Sequence, residues 1–540
     1  MINASLDQDW RQRVGLFYKK SSRKVYVQLR ADTGLLIPCN LARMLGFDRE
    51  CHLLESTESP MPVDPHRGGT LPVFRGAPIQ RGHGLGSLVK GLFRSAAPLL
   101  KKGAMALGKE AMETGFNIAK DMSILKGPWV EYHPVSNITD SAPIEFNVAG
   151  TAEEYVDLSQ TMLAVTAKIT NPDNTNLAQE APVGPVNLFL PSLFSQVDVM
   201  LNEKLVSQPS NTYPYRAMLE SIMHYGKETK DSQLTQQLYY KDAAGKMDLL
   251  NPLLAGENVN EGLKKRHEFI VDSKVLSMLG PIYGDLFFQE RLLLPGVDLK
   301  LKLNRSKDAF CLLSSNAEGN YKVKILSAAL YVRRVKTNPS VMLNHAKMLE
   351  KANAKYPLNK VDVRSFTIPA GNMSFNKDNL FLGHLPNRIV VGFVDNDAYN
   401  GTYGKNPYNF KNLLLNYVGV TVDGESIPMK PLRPNFREGP GQDFIHAYNS
   451  LFMGSNRLFQ DKGIDVNREE YARGYTLFAF DLTPDLSDGC HLNLVKQGNL
   501  RLELQFDNPL PNTVNCLVYS ESQGLIQIDR SRNVVYDYQG

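Results

Sequence analysis

The sequence predicts an all-β chain with minor helices, in which two tandem jelly-roll β-sandwiches follow a basic, partly helical N-terminal extension. Three observations lead there. The first is strict alternation in VDLKLKLN, residues 297–304: Val297, Leu299, Leu301 and Leu303 fall on one side, and Asp298, Lys300, Lys302 and Asn304 on the other. That is the period of a half-buried strand. Burying four aliphatic side chains at roughly 1.5–3 kcal/mol each outweighs the few tenths per residue by which Leu and Lys prefer helix.

The second observation is that the same device returns two hundred residues later in GNLRLELQF, residues 498–506. There Leu500, Leu502, Leu504 and Phe506 form the apolar face, and Arg501, Glu503 and Gln505 the wet one. The surroundings echo as well. An aromatic strand is expected at 283–288 and a long strand at 321–335 around the first copy, and strands at 475–480 and 513–519 around the second. An internal echo of this kind marks two similar domains. The third observation is many short strands joined by long Pro/Asn/Gly loops with few helices, which argues for sandwiches rather than α/β units.

A chain of 540 residues is too long for one core and implies two to four domains. Its net charge is only +4, but the first 128 residues carry 19 Lys/Arg against 11 Asp/Glu, and the rest 41 against 45. The basic quarter therefore points to an acidic partner, nucleic acid or anionic membrane. Five widely spaced cysteines without a CxxC pair, Cys39, Cys51, Cys311, Cys490 and Cys516, suit a reducing compartment. The N-terminus has no basic region followed by an apolar run, so no secretory signal is expected, and no apolar stretch is long enough to span a bilayer.

In chain order, residues 1–58 read as a small unit with a strand at 24–29 and a short helix capped by Asn40. Residues 59–80, rich in Pro and Gly, read as a linker. Residues 81–128 follow as a basic amphipathic segment. Its apolar stripe runs from Leu88 and Leu92 to Met112 and Phe116, its charged face carries Lys90, Arg94, Lys101, Lys102 and Lys109, and Pro98 and Gly103 must kink it. An ordinary surface helix explains such a stripe; so does a peptide that meets membrane or nucleic acid, and those five cations are then the contact residues. The first jelly roll is placed at 129–337, with strands at 144–148, 162–169, 186–190 and 196–201, the last turning at Asn202-Glu203 into a hairpin. Residues 213–225 and 231–239 read as helical or loop excursions. A connecting helix is expected within 338–356, with Pro339 early and Val341, Leu343, Ala346 and Leu349 as its apolar period. The second jelly roll, 357–540, adds strands at 361–368, 388–394, 525–530 and 534–536.

Chemistry is sparse. GAMALGKE, residues 103–110, matches a phosphate-loop pattern except that Glu110 stands where a Ser or Thr must hold magnesium, and no strand leads into it. Gly82, Gly84 and Gly86 lack the third glycine of a dinucleotide fingerprint and read as a hinge. DNDAYNG, residues 395–401, begins like a calcium loop but places Tyr399 at the fifth position and Asn406 at the twelfth, so it reads as a surface loop. The ten histidines form no metal-ligand spacing, no GxSxG elbow occurs, and Cys311 reads as a buried core thiol. No catalytic residue, metal or cofactor is expected.

Taken jointly, WVEYHPVSNITD at 129–140, PIEFN at 143–147, PVGPVNLFL at 182–190, LFSQVD at 193–198, NTYPYR at 211–216, SKDAF at 306–310 and FDLTPD at 480–485 resemble the major capsid, or hexon-like, proteins of Polinton/Maverick elements and adintoviruses. The resemblance covers about residues 129–540. It implies a structural, non-enzymatic double jelly-roll subunit that forms a homotrimer, a pseudo-hexagonal capsomer of an icosahedral double-stranded DNA virion. The implied partners are neighbouring capsomers and minor capsid or penton proteins. The implied location is the virion, with synthesis in the cytosol and assembly in the nucleus. Residues 81–121 resemble, more loosely, the small basic core or membrane-active peptides of adenovirus-like particles, which implies DNA or membrane contact. Because a capsid subunit would begin near residue 129, the N-terminal quarter is expected to be a fused neighbouring reading frame. Loops 395–410 and 428–441 are expected to build trimer contacts and the outer surface. The competing reading is a monomeric ligand- or glycan-binding tandem β-sandwich.

Overall fold

Alternation at residues 299–305 and 500–506 produces the central strands of two sheets with the same wiring. The computed structural model describes residues 124–540 apart from 317, 382–383, 428–429, 485–496 and 537–540, together with the backbone of three strands before them. Those three, β1 (Leu16–Ser21), β2 (Lys24–Leu29) and β3 (Leu36–Pro38), form an antiparallel meander in the order β1-β2-β3. β2 is the strand expected at 24–29. They belong to a unit made of 1–77 and 86–108, separate from the unit of 78–85 and 109–540.

In the larger unit the first sandwich comprises β4 (Ile124–Lys126), β5 (Trp129–Tyr132), β6 (Ile144–Val148), β7 (Glu154–Thr170), β8 (Val183–Pro185), β9 (Phe194–Leu201), β10 (Lys204–Leu205), β11 (Leu276–Pro281), β12 (Leu299–Arg305), β13 (Leu312–Ser314) and β14 (Lys322–Thr337). The second comprises β15 (Ala354–Ile368), β16 (Ser374–Lys377), β17 (Arg388–Asp395), β18 (Leu415–Val422), β19 (Glu425–Ser426), β20 (Leu477–Asp481), β21 (Leu500–Phe506), β22 (Val514–Ile528) and β23 (Val534–Tyr536). One sheet of the first sandwich is ordered β10-β9-β12-β6, and its counterpart β19-β18-β21-β16. The facing sheets run β11-β7-β14, with β5 on β14, and β20-β17-β22-β15. β12 and β21 thus occupy equivalent positions, each flanked antiparallel by the strand that closes a short hairpin and by an edge strand. Their apolar faces are fully inside: Leu299, Leu301 and Leu303 on one, and Leu500, Leu502, Leu504 and Phe506 on the other.

Three elements differ from expectation. The aromatic strand expected at 283–288 is a 3-10 turn, Asp285–Phe288, that follows β11. Asp285 turns inward there to accept from Arg216 and from the Val361 amide, while Leu286 and Phe287 remain buried. The strand expected at 186–190 lies just beyond β8 and ends instead in a helical turn, Phe189–Ser192, all four of whose residues are buried. A short run that is apolar on every side carries no period to distinguish the two. The connecting helix α3, named after α1 (Tyr213–His224) and α2 (Glu261–Glu268), spans Pro339–Leu349 and is capped by the Asn338 side chain on the Ser340 amide. Only Leu349 of its expected apolar period is buried; Leu343 and Ala346 face out, and the helix is pinned instead by His345 Nδ1 against the Tyr155 hydroxyl at 2.7 Å.

Because the two central strands carry equivalent burial, Leu301→Ala and Leu502→Ala should each cost about 2–5 kcal/mol. The exposed-face change Lys300→Ala should cost under about 0.5 kcal/mol. Denaturant unfolding of the three variants measures the difference.

Candidate functional site

The cations singled out in the sequence, Lys90, Arg94, Lys101, Lys102 and Lys109, lie outside the described residues, as do the glycine run 82–86 and the phosphate-loop-like segment 103–110. Among the described residues no group of three or more His, Cys, Asp or Glu side chains is placed to hold a metal. Cys311 is the core thiol expected of it: burial pushes its pKa up to about 12, and its Sγ sits 3.3 Å from the Ser192 carbonyl oxygen.

What the described residues do build is a polar seam that locks one sandwich to the other. At its centre is Asp242. Its Oδ1 accepts from Arg266 on α2 at 2.6 Å and from Asn260 at 3.0 Å, while its Oδ2 accepts from Asn406 of the second sandwich at 2.9 Å. Arg266 is 0% exposed and donates as well to the carbonyls of Pro185 and Tyr240. The Tyr475 hydroxyl donates to the Asp242 carbonyl at 2.8 Å. Removing one partner from a buried, hydrogen-bonded pair of this kind typically costs 3–5 kcal/mol or so, because the other charge is left without compensation.

The loop at 395–410 belongs to this seam and not to the outer surface expected for it. Tyr403, Asn406, Tyr408 and Phe410 are buried. Tyr408 shares a hydrogen bond with Ser192, Tyr403 donates to the Tyr321 carbonyl at 2.7 Å, and Tyr399 stacks on Tyr215 of α1 with ring centroids 5.5 Å apart. Its polar tips answer buried acceptors of the first sandwich while its rings fill the gap, which is why its composition looks like that of a surface loop. In the other loop, 428–441, residues 437–441 are exposed as expected, but Leu432, Pro434 and Phe436 are buried.

Further along the seam, the Thr212 hydroxyl donates to the Val363 carbonyl of β15 at 2.9 Å. Arg216 pairs with Glu220 and Asp285; burial works against its charge, but the two carboxylates outweigh that and hold its pKa above the ordinary guanidinium value. His224 lies 3.6 Å from Glu521 of β22, which also faces Arg388 at 3.5 Å and accepts from Asn359 at 3.0 Å. Lys241 reaches both Glu470 oxygens at 2.8 Å. Lys230 is 2% exposed, and its Nζ donates to the carbonyls of Ile222 at 3.1 Å and Ile464 at 2.5 Å. Burial lowers its pKa to about 7 against the partial opposition of Asp465. A neutral amine has two N–H groups for those two acceptors, so the uncharged form fits the site. Sequence reading did not bring these residues together: Tyr399 and Asn406 entered it only as positions of a calcium-like loop, and no spacing marks Asp242 or Arg266.

The four large sheets end in β10 and β6, β11 and β4, β19 and β16, and β20 and β15. β10 and β19 are only two residues long, a usual way of blunting an edge, while β6 and β11 are longer. Phe459 stands 95% exposed in a loop beside these elements' domain.

No family model matches the sequence. An uncharacterised protein of Caenorhabditis elegans is 27% identical over 409 residues, covering 73% of this chain and 93% of the relative. Among solved structures, a chain from the cryo-EM structure of the Sputnik virophage superposes with a TM-score of 0.54 at 12% identity, covering 78% of this chain and 90% of its own. PBCV-1 VP54, in a crystal structure fitted into a reconstruction of the same virophage, gives 0.51 at 7% identity, covering 79% and 99%. The fold is a double jelly roll.

Lys230 makes the seam pH-dependent with a definite sign. Between about pH 7 and the ordinary lysine pKa near 10.4 the unfolded chain holds a proton that the folded chain has released, so stability rises with pH across that window. Thermal melts from pH 6 to 9 should show this rise in the native protein and a flatter profile in Lys230→Met; parallel profiles would place the titration elsewhere.

Proposed function

We propose that the chain is a major capsid protein, a structural subunit whose work is assembly into an icosahedral particle. The observation that carries this is the pair of equivalently wired sandwiches fused by a buried seam. Two solved chains that superpose with a TM-score above 0.5 belong to the structure of a virus particle or were fitted into one. The physical reason this architecture suits a shell is symmetry. Three copies of a rigid pair of similar sandwiches present six similar units around one axis, so a three-fold ring packs as a hexagon. The seam keeps the pair from flexing and leaves the outward loops and sheet edges for contacts between copies.

We further assign the subunit to a homotrimeric, pseudo-hexagonal capsomer of a double-stranded DNA virus or virus-like transposon of the Polinton/Maverick and adintovirus kind. The motifs at 129–140, 182–190 and 480–485 support this, and a relative encoded by a nematode suits an element resident in animal genomes. In this reading the first jelly roll is 129–337, the second 357–540, and the segment 81–121, with Lys90, Arg94, Lys101, Lys102 and Lys109, contacts DNA or membrane inside the particle. Minor capsid or penton proteins would be further partners, with assembly in the nucleus.

Light scattering on the eluting protein tests the reading. A stable species of three times 60.4 kDa is expected, held by specific interfaces of about 1,000 Å² or more per contact. A 60.4 kDa monomer that binds immobilised glycans would instead favour a ligand-binding sandwich.

A further inference from the structure

The connecting helix leaves a surface that neither sandwich covers. α3 turns Leu343 and Met348 to solvent, 58% and 37% exposed, and between and beside them on the outward side lie the exposed Lys347 and Lys351. The strands that flank it behave alike. β4 pairs with the last residues of β14, just before α3 begins, and packs Ile124 on the core while Leu125 points out at 60% exposure. β23 lies beyond β22, whose Gln527 stands opposite both Val535 and Lys355, just after α3 ends; it packs Val534 inward and leaves Val535 55% exposed. Residues 336–355 carry four lysines, Lys336, Lys347, Lys351 and Lys355, against one acid, Glu350. Two of these charges have partners: Lys336 lies 3.1 Å from Glu153, and Glu350 lies 3.4 Å from Arg530, which is itself exposed and adds to the cationic side.

We propose that this end of the double jelly roll is an interfacial docking surface for an anionic lipid bilayer. Separate aliphatic tips set among lysines match the boundary between acyl chains and headgroups: the tips enter while the lysine ammonium groups stay at the phosphates on their flexible stems. Charge complementarity selects a negative leaflet. Nucleic acid would use the lysines but gives four exposed aliphatic side chains nothing to do, and a second copy docking by the same face would set lysine against lysine. The surface stands independently of trimer formation, because it is displayed by each chain alone.

Co-sedimentation of the full chain with vesicles of equal parts phosphatidylserine and phosphatidylcholine tests it, with phosphatidylcholine vesicles and duplex DNA run beside them. The native protein should sediment with the mixed vesicles and not with phosphatidylcholine alone. Leu343→Glu with Met348→Glu, and separately Lys347→Glu with Lys351→Glu, should each weaken that binding on the order of ten-fold. Should the glutamate pair at 343 and 348 fail to fold, Leu343→Ser with Met348→Ser replaces it. Absence of vesicle binding, unchanged binding in either double variant, or loss only on lysine reversal with DNA binding lost in parallel would each overturn the proposal. Light scattering on the same samples reports the assembly state separately.

Discussion

The constraint on which the structure depends is the one-residue alternation of β12 and β21. Each places an unbroken aliphatic row against a facing sheet and a charged row against water, and a slip of one residue would exchange the two rows. With register fixed at the middle of each sandwich, the neighbouring strands have one place to pair. The hairpins β9-β10 and β18-β19 and the edge strands β6 and β16 then fall into the same order twice. Duplication of the wiring follows from duplication of the pattern.

The seam turns two sandwiches into one body by a different kind of chemistry. The sandwich interiors are hydrophobic and non-directional, but the contact between them is organised by Asp242, Arg266, Glu521, Arg388 and the two lysines Lys230 and Lys241, whose hydrogen bonds are directional. Such groups add little net stability when well paired and penalise any other arrangement. In the proposed capsid role, where two similar faces would be presented at a fixed angle, a seam that specifies orientation serves better than a greasier one. Lys230, poised near neutrality by burial, is where that specification meets solution pH.

The strands that alternate were legible in the sequence, and so was the pairing of two domains, because burial on one face writes a period of two into the residues. Long strands were read as fragments: β7 and β22 extend well past the expected 162–169 and 513–519 because their ends are buried on both sides or interrupted by polar residues, which erases the period. The 3-10 turn at 285–288 was hidden for a similar reason, and the loop 395–410 was placed outside because Asn and Tyr look alike in a surface loop and in a polar seam. The seam itself was not legible. Its cross-sandwich pairs, such as Asp242 with Asn406 and Lys241 with Glu470, join residues more than a hundred positions apart, and a lone Asp, Arg or Asn carries no mark of the partner it will meet. In α3 the apolar period was visible but its direction was not, since Leu343 and Leu349 differ in exposure only through the neighbours that the fold supplies.

The proposed capsid role of this duplicated sandwich is tested most directly by cryo-electron microscopy of the purified full chain. Class averages should show closed rings of three chains with six similar barrel densities around the axis and an approximately hexagonal outline. Separate two-lobed particles with no ring closure, or lobes whose mutual angle varies from particle to particle, would contradict both the locked seam and the capsid role.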